Sequence, residues 1–388
     1  MDLEAFESSP VGRLVPITVQ ERGESVPYSA FVPDPLPANP TLESTTWKAV
    51  IEAAASLAEL RTLAEDRLPD PLLIGRVTVR REALSTSALE GTYAPARRVL
   101  TSEVDEEEPR DAGVTEILNY VKAWDDAAAS DLPICVRLAC DLQKRLVQGT
   151  PSEDYQAGKV RETQVLIGPY RGCSIAESTY VPPPPSDELI AGLSEWERWL
   201  NESSCDEIVK VALGHYQFEA LHPFTDGNGR IGRLLAILQL IRADLLPGPL
   251  INLSPYFEQR ADEYRHRLRA VSTRGAIDEW VEFFCEAVAN QAKEAQARIR
   301  SLLNWRDETV DHLRSLGRKG SVVDLIPHLI EYPVTSVKQT EEKLGVSNPA
   351  ANSAVNSLEA MGILTETTGG KYGRVFEASA VLDIIFGP

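Results

Sequence analysis

The stretch HPFTDGNGRIGR, residues 222–233, lies between the apolar-periodic DEIVKVALGHYQFEAL and the strongly apolar LLAILQLI, and few local folds satisfy it. Pro223 is tolerated only at a helix boundary, while Gly227, Asn228 and Gly229 supply the left-handed or closely approached backbone that other residues resist. One helix must therefore end near residue 222 and another begin near 228–230, with a loop between them. The second helix turns its free N–H groups into that loop, where its dipole favours an anion. Arg230 and Arg233, three positions apart, share a face that can hold phosphate oxygens by forked hydrogen bonds. His222 is the residue type that accepts a hydroxyl proton near neutral pH, and Asp226 the type that ligates Mg²⁺ bridging phosphates.

Helical spacing dominates the rest of the chain. KAVIEAAASLAELRTLAEDR and PLLIGRVTVRREALSTSALEGT read as two helices parted by a turn at LPDP, and 114–127, 133–148 and 256–298 continue the pattern. Residues 1 to about 45, rich in Pro, Ser and Glu, read as an extended arm lying on something else. The one clear interruption is 157–185, where β-branched runs flank GPYRGC, and this reads as a β-hairpin with a polyproline exit. The expected fold is mainly α: a helical core with a β-hairpin, divided as 1–112, 113–300 and a small domain at 301–388.

Bulk properties narrow the functional classes. No apolar run approaches the roughly 20 residues that a bilayer crossing needs, and the acidic N-terminus is unlike a signal sequence, so a cytoplasmic protein with no membrane partner is expected. The formal net charge of −19 argues against broad attraction to nucleic acid, and any nucleotide site must be locally basic. Five cysteines without C-x-x-C spacing suggest neither a disulfide framework nor a zinc site.

The twelve residues from His222 to Arg233 match the signature H-P-F-x-[D/E]-G-N-G-R-x-x-R in full, and the chain resembles the Fic family. Members of that family usually move AMP from ATP to a Ser, Thr or Tyr hydroxyl of another protein, releasing pyrophosphate. The resemblance implies that His222 is the base and Asp226 the Mg²⁺ ligand. Gly227, Asn228 and Gly229 would form the anion hole, continued along ATP by Ile231 and Gly232, while Arg230 and Arg233 grip the distal phosphates. Phe224 would anchor the loop in the core. The 157–185 hairpin would be the family's flap, which pairs edge to edge with an extended target segment. Tyr256 and Tyr264 could flank an adenine by stacking.

A second stretch, TSALEGT at 86–92, resembles the family's inhibitory motif [S/T]-x-x-x-E-[G/N] through Thr86, Glu90 and Gly91. The resemblance implies that Glu90 pairs with Arg233 and occupies the place of the γ-phosphate. ATP would then bind with its α-phosphate misaligned. The same glutamate could position a water for removing AMP, and UTP in place of ATP is not excluded by the motif.

Residues 321–388 read as three helices and a hairpin, an order that resembles a winged helix-turn-helix. Asn348, Asn352 and Asn356 could read adenine edges, with Lys371 and Arg374 in the wing. The third helix lacks Lys and Arg, so protein interaction or dimerisation is preferred over DNA binding. The expected partners are a target protein with a hydroxyl side chain, the chain itself by self-modification, and a second copy in a homodimer. The competing class is a nucleotide-sensing DNA-binding or scaffold protein.

Overall fold

Nearly every segment with apolar residues at three and four spacing is helical. The computed structural model describes all residues except 22, 69, 71, 106–109, 171, 370–372 and 388. The N-terminal part runs α1 (Leu3–Glu7), β1 (Gly12–Glu21), β2 (Glu24–Pro33), α2 (Ser44–Arg67), α3 (Leu72–Leu89), α4 (Ala96–Val104), α5 (Ala112–Ala129) and α6 (Val136–Val147). The middle runs α7 (Asp187–Glu202), α8 (Glu207–Leu221), α9 (Asn228–Arg242), α10 (Ser254–Gln259), α11 (Ala261–Arg274) and α12 (Ile277–Ser315). The C-terminal part runs α13 (Ser321–Glu331), β3 (Val334–Ser336), α14 (Val337–Leu344), α15 (Asn348–Ala360), β4 (Thr365–Glu366), β5 (Val375–Glu377) and α16 (Ser379–Phe386). No helix among the described residues is long and apolar enough to cross a membrane.

The chain forms two compact units, and the first comprises Met1–Ala58, Asn119–Leu245 and Leu253–Asn290. Its centre is the α8–α9 pair, flanked by α7 and α6. Both helices are buried on nearly every face, which is why their sequences are apolar all round rather than striped. Asp206 starts α8 by accepting from the amides of Ile208 and Val209 at 3.0 and 3.2 Å. Trp280 and Trp196 close the core by donating their indole N–H groups to Ala212 O and Gly214 O at 2.8 and 2.9 Å.

Two expectations change here. The first 45 residues do lie on the core, with Gln217 Nε2 donating to Asp34 O at 3.0 Å and Trp199 Nε1 to Pro37 O at 2.9 Å. They also contain a regular hairpin, β1 antiparallel to β2 from Gly12↔Pro33 to Glu21↔Glu24, where an extended arm was expected. Segment 157–185, expected as a hairpin, instead reverses around a single antiparallel bridge between Ile167 and Tyr180. Regular pairing fails there because Pro182 to Pro185 have no N–H to donate, and the Gln164 side chain takes Pro182 O at 2.9 Å. Strand β2 backs this segment, Phe31 N donating to Val181 O at 2.8 Å, and Phe6, Phe31 and Tyr180 cluster with centroids 5.1–6.2 Å apart. Arg171, in the expected turn, lies outside the described residues.

The second unit comprises Glu59–Leu118, Leu246–Asn252 and Gln291–Pro388. Helix α13 and helix α16 pack on α3, and β3 packs on α4. Leu100, Val334, Val375 and Leu382 form a buried cluster, with Val104 and Phe386 against it. The three expected C-terminal helices are present, with β3 and α16 in addition, and the sheet order is β3-β5-β4. N-terminal and C-terminal residues thus share one core in this unit.

Candidate active site

His222 terminates α8 in the left-handed conformation, φ 49° and ψ 64°, a state costing a non-glycine residue about 1–2 kcal/mol. Backbone bonds hold it there. Its N–H donates to Phe218 O at 2.9 Å, and its carbonyl accepts Arg161 Nε at 2.8 Å. The ring Nδ1 lies 3.4 Å from Glu219 O. A carbonyl can only accept, so this contact requires Nδ1–H and leaves Nε2 as the basic nitrogen.

The loop after His222 is closed by Asn228. Its Oδ1 accepts from Phe224 N and its Nδ2 donates to Phe224 O, both at 2.8 Å. The side chain expected to line an anion hole is therefore engaged in shaping the loop. Gly227, the N-cap, has φ 89°, open only to glycine at low cost. The backbone bond from Ile231 N to Gly227 O at 3.0 Å opens α9, whose first turn carries the amides of Asn228, Gly229 and Arg230. Phe224 is 1% exposed and meets Phe218 at 6.2 Å between ring centroids, as an anchor should. Gly232 serves packing: a Cβ there would stand 2.6 Å from Glu219 Oε1.

Asp226 sits among hydrogen-bond donors. Arg230 donates to its Oδ1 at 2.7 Å, Ser152 Oγ to its Oδ2 at 2.7 Å, and Gln143 Nε2 to its carbonyl at 3.1 Å. Arg230 and Arg233 are each 2% exposed. Among the described residues no group of three or more His, Cys, Asp or Glu converges as a metal cage. A lone carboxylate beside a helix start still fits Mg²⁺, which takes one or two carboxylates and completes its shell with phosphate oxygens and water.

Arg161, Ser152 and Gln143 were not singled out by the sequence analysis. Arg161 is 2% exposed and ties the loop to the 157–185 segment. Its backbone N–H donates to Pro223 O at 2.8 Å, and its guanidinium reaches His222 O, Thr163 O and Pro183 O. Burial lowers its pKa to about 10, still charged at neutral pH. In GKVRETQVLIG it stands beside Lys159, Glu162 and Gln164, so its charge alone does not mark it as buried. Arg161→Met is expected to destabilise the fold by about 3 kcal/mol or more in urea unfolding, since the buried carbonyls it serves lose a charged donor at about 1–3 kcal/mol each.

Tyr264 and Tyr256 are 5% and 6% exposed. Tyr264 stacks on Phe257 at 4.6 Å, and its hydroxyl meets His215 Nε2 at 2.7 Å. The Arg260 guanidinium covers the Tyr256 ring at 4.0 Å.

His215, two turns before His222 on α8, has its pKa lowered to about 3, chiefly by burial and then by the charge of Arg233. The folded protein therefore keeps it neutral while the unfolded chain protonates near pH 6.5. Its contribution is complete above that pH and is lost as pH falls from about 6.5 towards 3, by about 1.4 kcal/mol per unit. Urea midpoints at pH 7, 6 and 5 should fall accordingly, and His215→Asn should flatten the slope. An unchanged slope in that variant would assign the acid sensitivity elsewhere.

Thr86 is fully buried on α3, and Glu90 and Gly91 form the turn that ends it, Gly91 N donating to Ala88 O at 2.9 Å. In the C-terminal part, Arg374 donates to Asn356 Oδ1 at 2.8 Å and Asn352 Oδ1 at 3.4 Å, while Asn348 Nδ2 donates to Glu341 at 2.9 Å. Of the side chains expected to read bases, Asn352 and Asn356 thus bond to Arg374 and Asn348 to Glu341. Lys371 lies outside the described residues.

Comparison with known proteins returns one family. Residues 133–240 match the Fic/DOC family and residues 47–129 its N-terminal region. The protein adenylyltransferase Fic of Drosophila grimshawi is 29% identical over 177 residues, 45% of this chain and 32% of that protein. The protein adenylyltransferase fic-1 of Caenorhabditis briggsae is 36% identical over 99 residues, 25% of this chain and 17% of that one. The chain thus spans a third or less of the length of these curated relatives. A crystal structure of a Fic family protein from Desulfovibrio desulfuricans G20 superposes with a TM-score of 0.57 at 20% identity, covering 87% of this chain and 97% of that one, a likeness of fold.

Proposed function

Since the chain belongs to the Fic/DOC family, we propose that it is a protein adenylyltransferase, moving AMP from ATP to a Ser, Thr or Tyr hydroxyl of a target protein or of itself. The observation that carries the reading is the His222 loop. A ring whose Nδ1 faces Glu219 O ends α8 five residues before Gly227, the N-cap of α9. On this reading His222 Nε2 takes the hydroxyl proton as the hydroxyl oxygen attacks the α-phosphorus. The bond from that phosphorus to the bridging oxygen breaks, and pyrophosphate leaves with the charge. The amides of Asn228, Gly229 and Arg230 stabilise developing phosphate charge, and Arg233 grips the distal phosphates. Positioning does most of the work, as phosphoryl-type transfers require.

Asp226 is the residue that would hold Mg²⁺, which when bound would neutralise phosphate charge. Arg230 and Ser152 fix the direction of its carboxylate. Segment 157–185 would align the target hydroxyl by backbone pairing. Stacking of adenine on Tyr256 would require Arg260 to leave its ring. Glu90 is the brake, pairing with Arg233 where the γ-phosphate belongs, with Thr86 and Gly91 shaping its turn. The N-terminal segment 1–112 then serves as regulator of a catalytic core at 113–300, and 301–388 as a protein-interaction domain. The test is intact mass after incubation with ATP and Mg²⁺: a gain of one AMP per site supports the reading, and a gain of phosphate or UMP from other donors replaces it.

A further inference from the structure

Asn252 stands in the short segment before α10, buried, with its amide in a fixed orientation. Nδ2 donates to Thr78 O of α3 at 2.7 Å, and since that carbonyl can only accept, Oδ1 faces the other way. Two guanidiniums meet at that oxygen. Arg81 of α3 and Arg298 of α12 each donate from Nη1 to Asn252 Oδ1, at 3.3 and 3.4 Å. Residues 59–118, 246–252 and 291–388 belong to one compact unit, so all four residues share it.

Counter-charge is short at this meeting point. Arg298 is 8% exposed, and a cation so buried is ordinarily closely paired. Among the described residues the ion pairs of both arginines go to one atom, Glu294 Oε2, at 3.7 Å from Arg81 Nη2 and 3.9 Å from Arg298 Nη2. A charge-assisted bond of this kind closes to about 2.7–2.9 Å, so the glutamate holds neither cation at bonding distance. Its side chain is 48% exposed, on a helix face open to water. Burial, and after it the charge of Arg81, lowers the Arg298 pKa to about 10, with Glu294 acting in the opposite sense. Two arginines and one glutamate leave a net positive charge in a chain whose formal net charge is −19.

We propose that Arg81 and Arg298 form a binding site for a phosphate group, either inorganic phosphate or a small phosphate monoester, which takes the place of the Glu294 carboxylate between the two Nη2 atoms. The guanidinium fork matches phosphate oxygens, and a phosphate offers oxygens to both forks where the single Glu294 oxygen reaches neither closely. Its second negative charge balances the second arginine. Asn252 holds the two forks in place before the ligand arrives, which lowers the ordering cost of binding. Entry is from the solvent side, past Arg81 and Glu294, whose side chains are the exposed members of the cluster. The bound group ties α3 to α12 and stabilises the fold by mass action. None of these residues belongs to the His222 loop, so the site stands independently of the adenylyltransferase reading.

The test is calorimetric titration of the full chain with inorganic phosphate and with glycerol 3-phosphate, at constant ionic strength in sodium chloride. Phosphate is also expected at the start of α9, so the variants decide between the two places. Arg81→Gln and Arg298→Gln should each weaken one class of binding about tenfold, the loss of a charge-assisted bond. Glu294→Gln should strengthen the same class about threefold, because it removes the competing carboxylate. Arg233→Ala should leave that class in place. Tighter binding of glycerol 3-phosphate than of phosphate assigns the site to an ester, and the reverse to the free ion. Equal phosphate binding by wild type, Arg81→Gln and Glu294→Gln overturns the site, and so does its complete loss in a folded Arg233→Ala. Weaker binding in Glu294→Gln overturns it too, since the three side chains would then be an ordinary ion-pair network. Arg81→Gln and Glu294→Gln, both partly exposed positions, keep the test decisive if Arg298→Gln does not fold.

Discussion

His222→Ala is expected to lower transfer of AMP from α-labelled ATP to protein at least a hundredfold, with ATP affinity changed little. A positioned general base contributes about 10²–10⁴ in rate, and on the proposed reading no other side chain takes the hydroxyl proton. Affinity should survive because the phosphate-binding groups belong to α9, whose start is set by Gly227 and by the bonds between Asn228 and Phe224. Alanine also inherits the left-handed backbone at position 222 and is strained there. His222→Asn is the control, since asparagine tolerates that conformation and cannot serve as the base. Both variants losing activity while unfolding in urea like wild type assigns the loss to chemistry. Labelling within tenfold of wild type in both would remove His222 from the mechanism. The same variants separate the competing class: specific, salt-sensitive DNA retention that persists without His222 would mark a binding protein, though the mutual bonding of Arg374, Asn352 and Asn356 leaves few groups free for bases.

How much could be read from the sequence depends on how local each feature is. The loop at 222–233 was legible because its determinants are adjacent: Pro223 ends one helix, Gly227 begins the next, and Phe224 anchors between them. The helices of the core were legible from spacing. The β1–β2 hairpin was hidden by Pro16 and Pro27, which usually argue against a strand but are accommodated in a two-stranded ribbon, where a strand can turn the proline side away from its ladder partner. The converse error at 157–185 has the converse cause. Ile175 and Val181 there are buried in the core, and the proline run denies the ladder its donors. Ser152, Gln143 and Arg161 are non-local, reaching the loop from 61 to 83 positions away in sequence. Nothing in their neighbours announces the contact. The grouping of α3 and α4 with α13, β3 and α16 is likewise set by tertiary packing, which periodicity does not encode.

Glu90→Gly is expected to raise labelling at least tenfold, the opposite of what deleting a charged partner usually does to a protein. A charge-assisted hydrogen bond contributes about 1.5–3 kcal/mol, and each 1.4 kcal/mol is a factor of ten, so releasing Arg233 for the γ-phosphate yields roughly ten- to a hundredfold. The cost to the fold should be small, because Glu90 is exposed in the turn after α3, where glycine suits a helix end. Arg233→Ala gives the decisive contrast. It breaks the same proposed pair, yet it removes the phosphate ligand together with the brake, so its labelling should fall below wild type, and the double variant should be no more active than Arg233→Ala alone. An ordinary stabilising ion pair would respond symmetrically to the loss of either partner. Equal labelling of wild type and Glu90→Gly would discard the brake, and a rise in Arg233→Ala would place the γ-phosphate on a different residue.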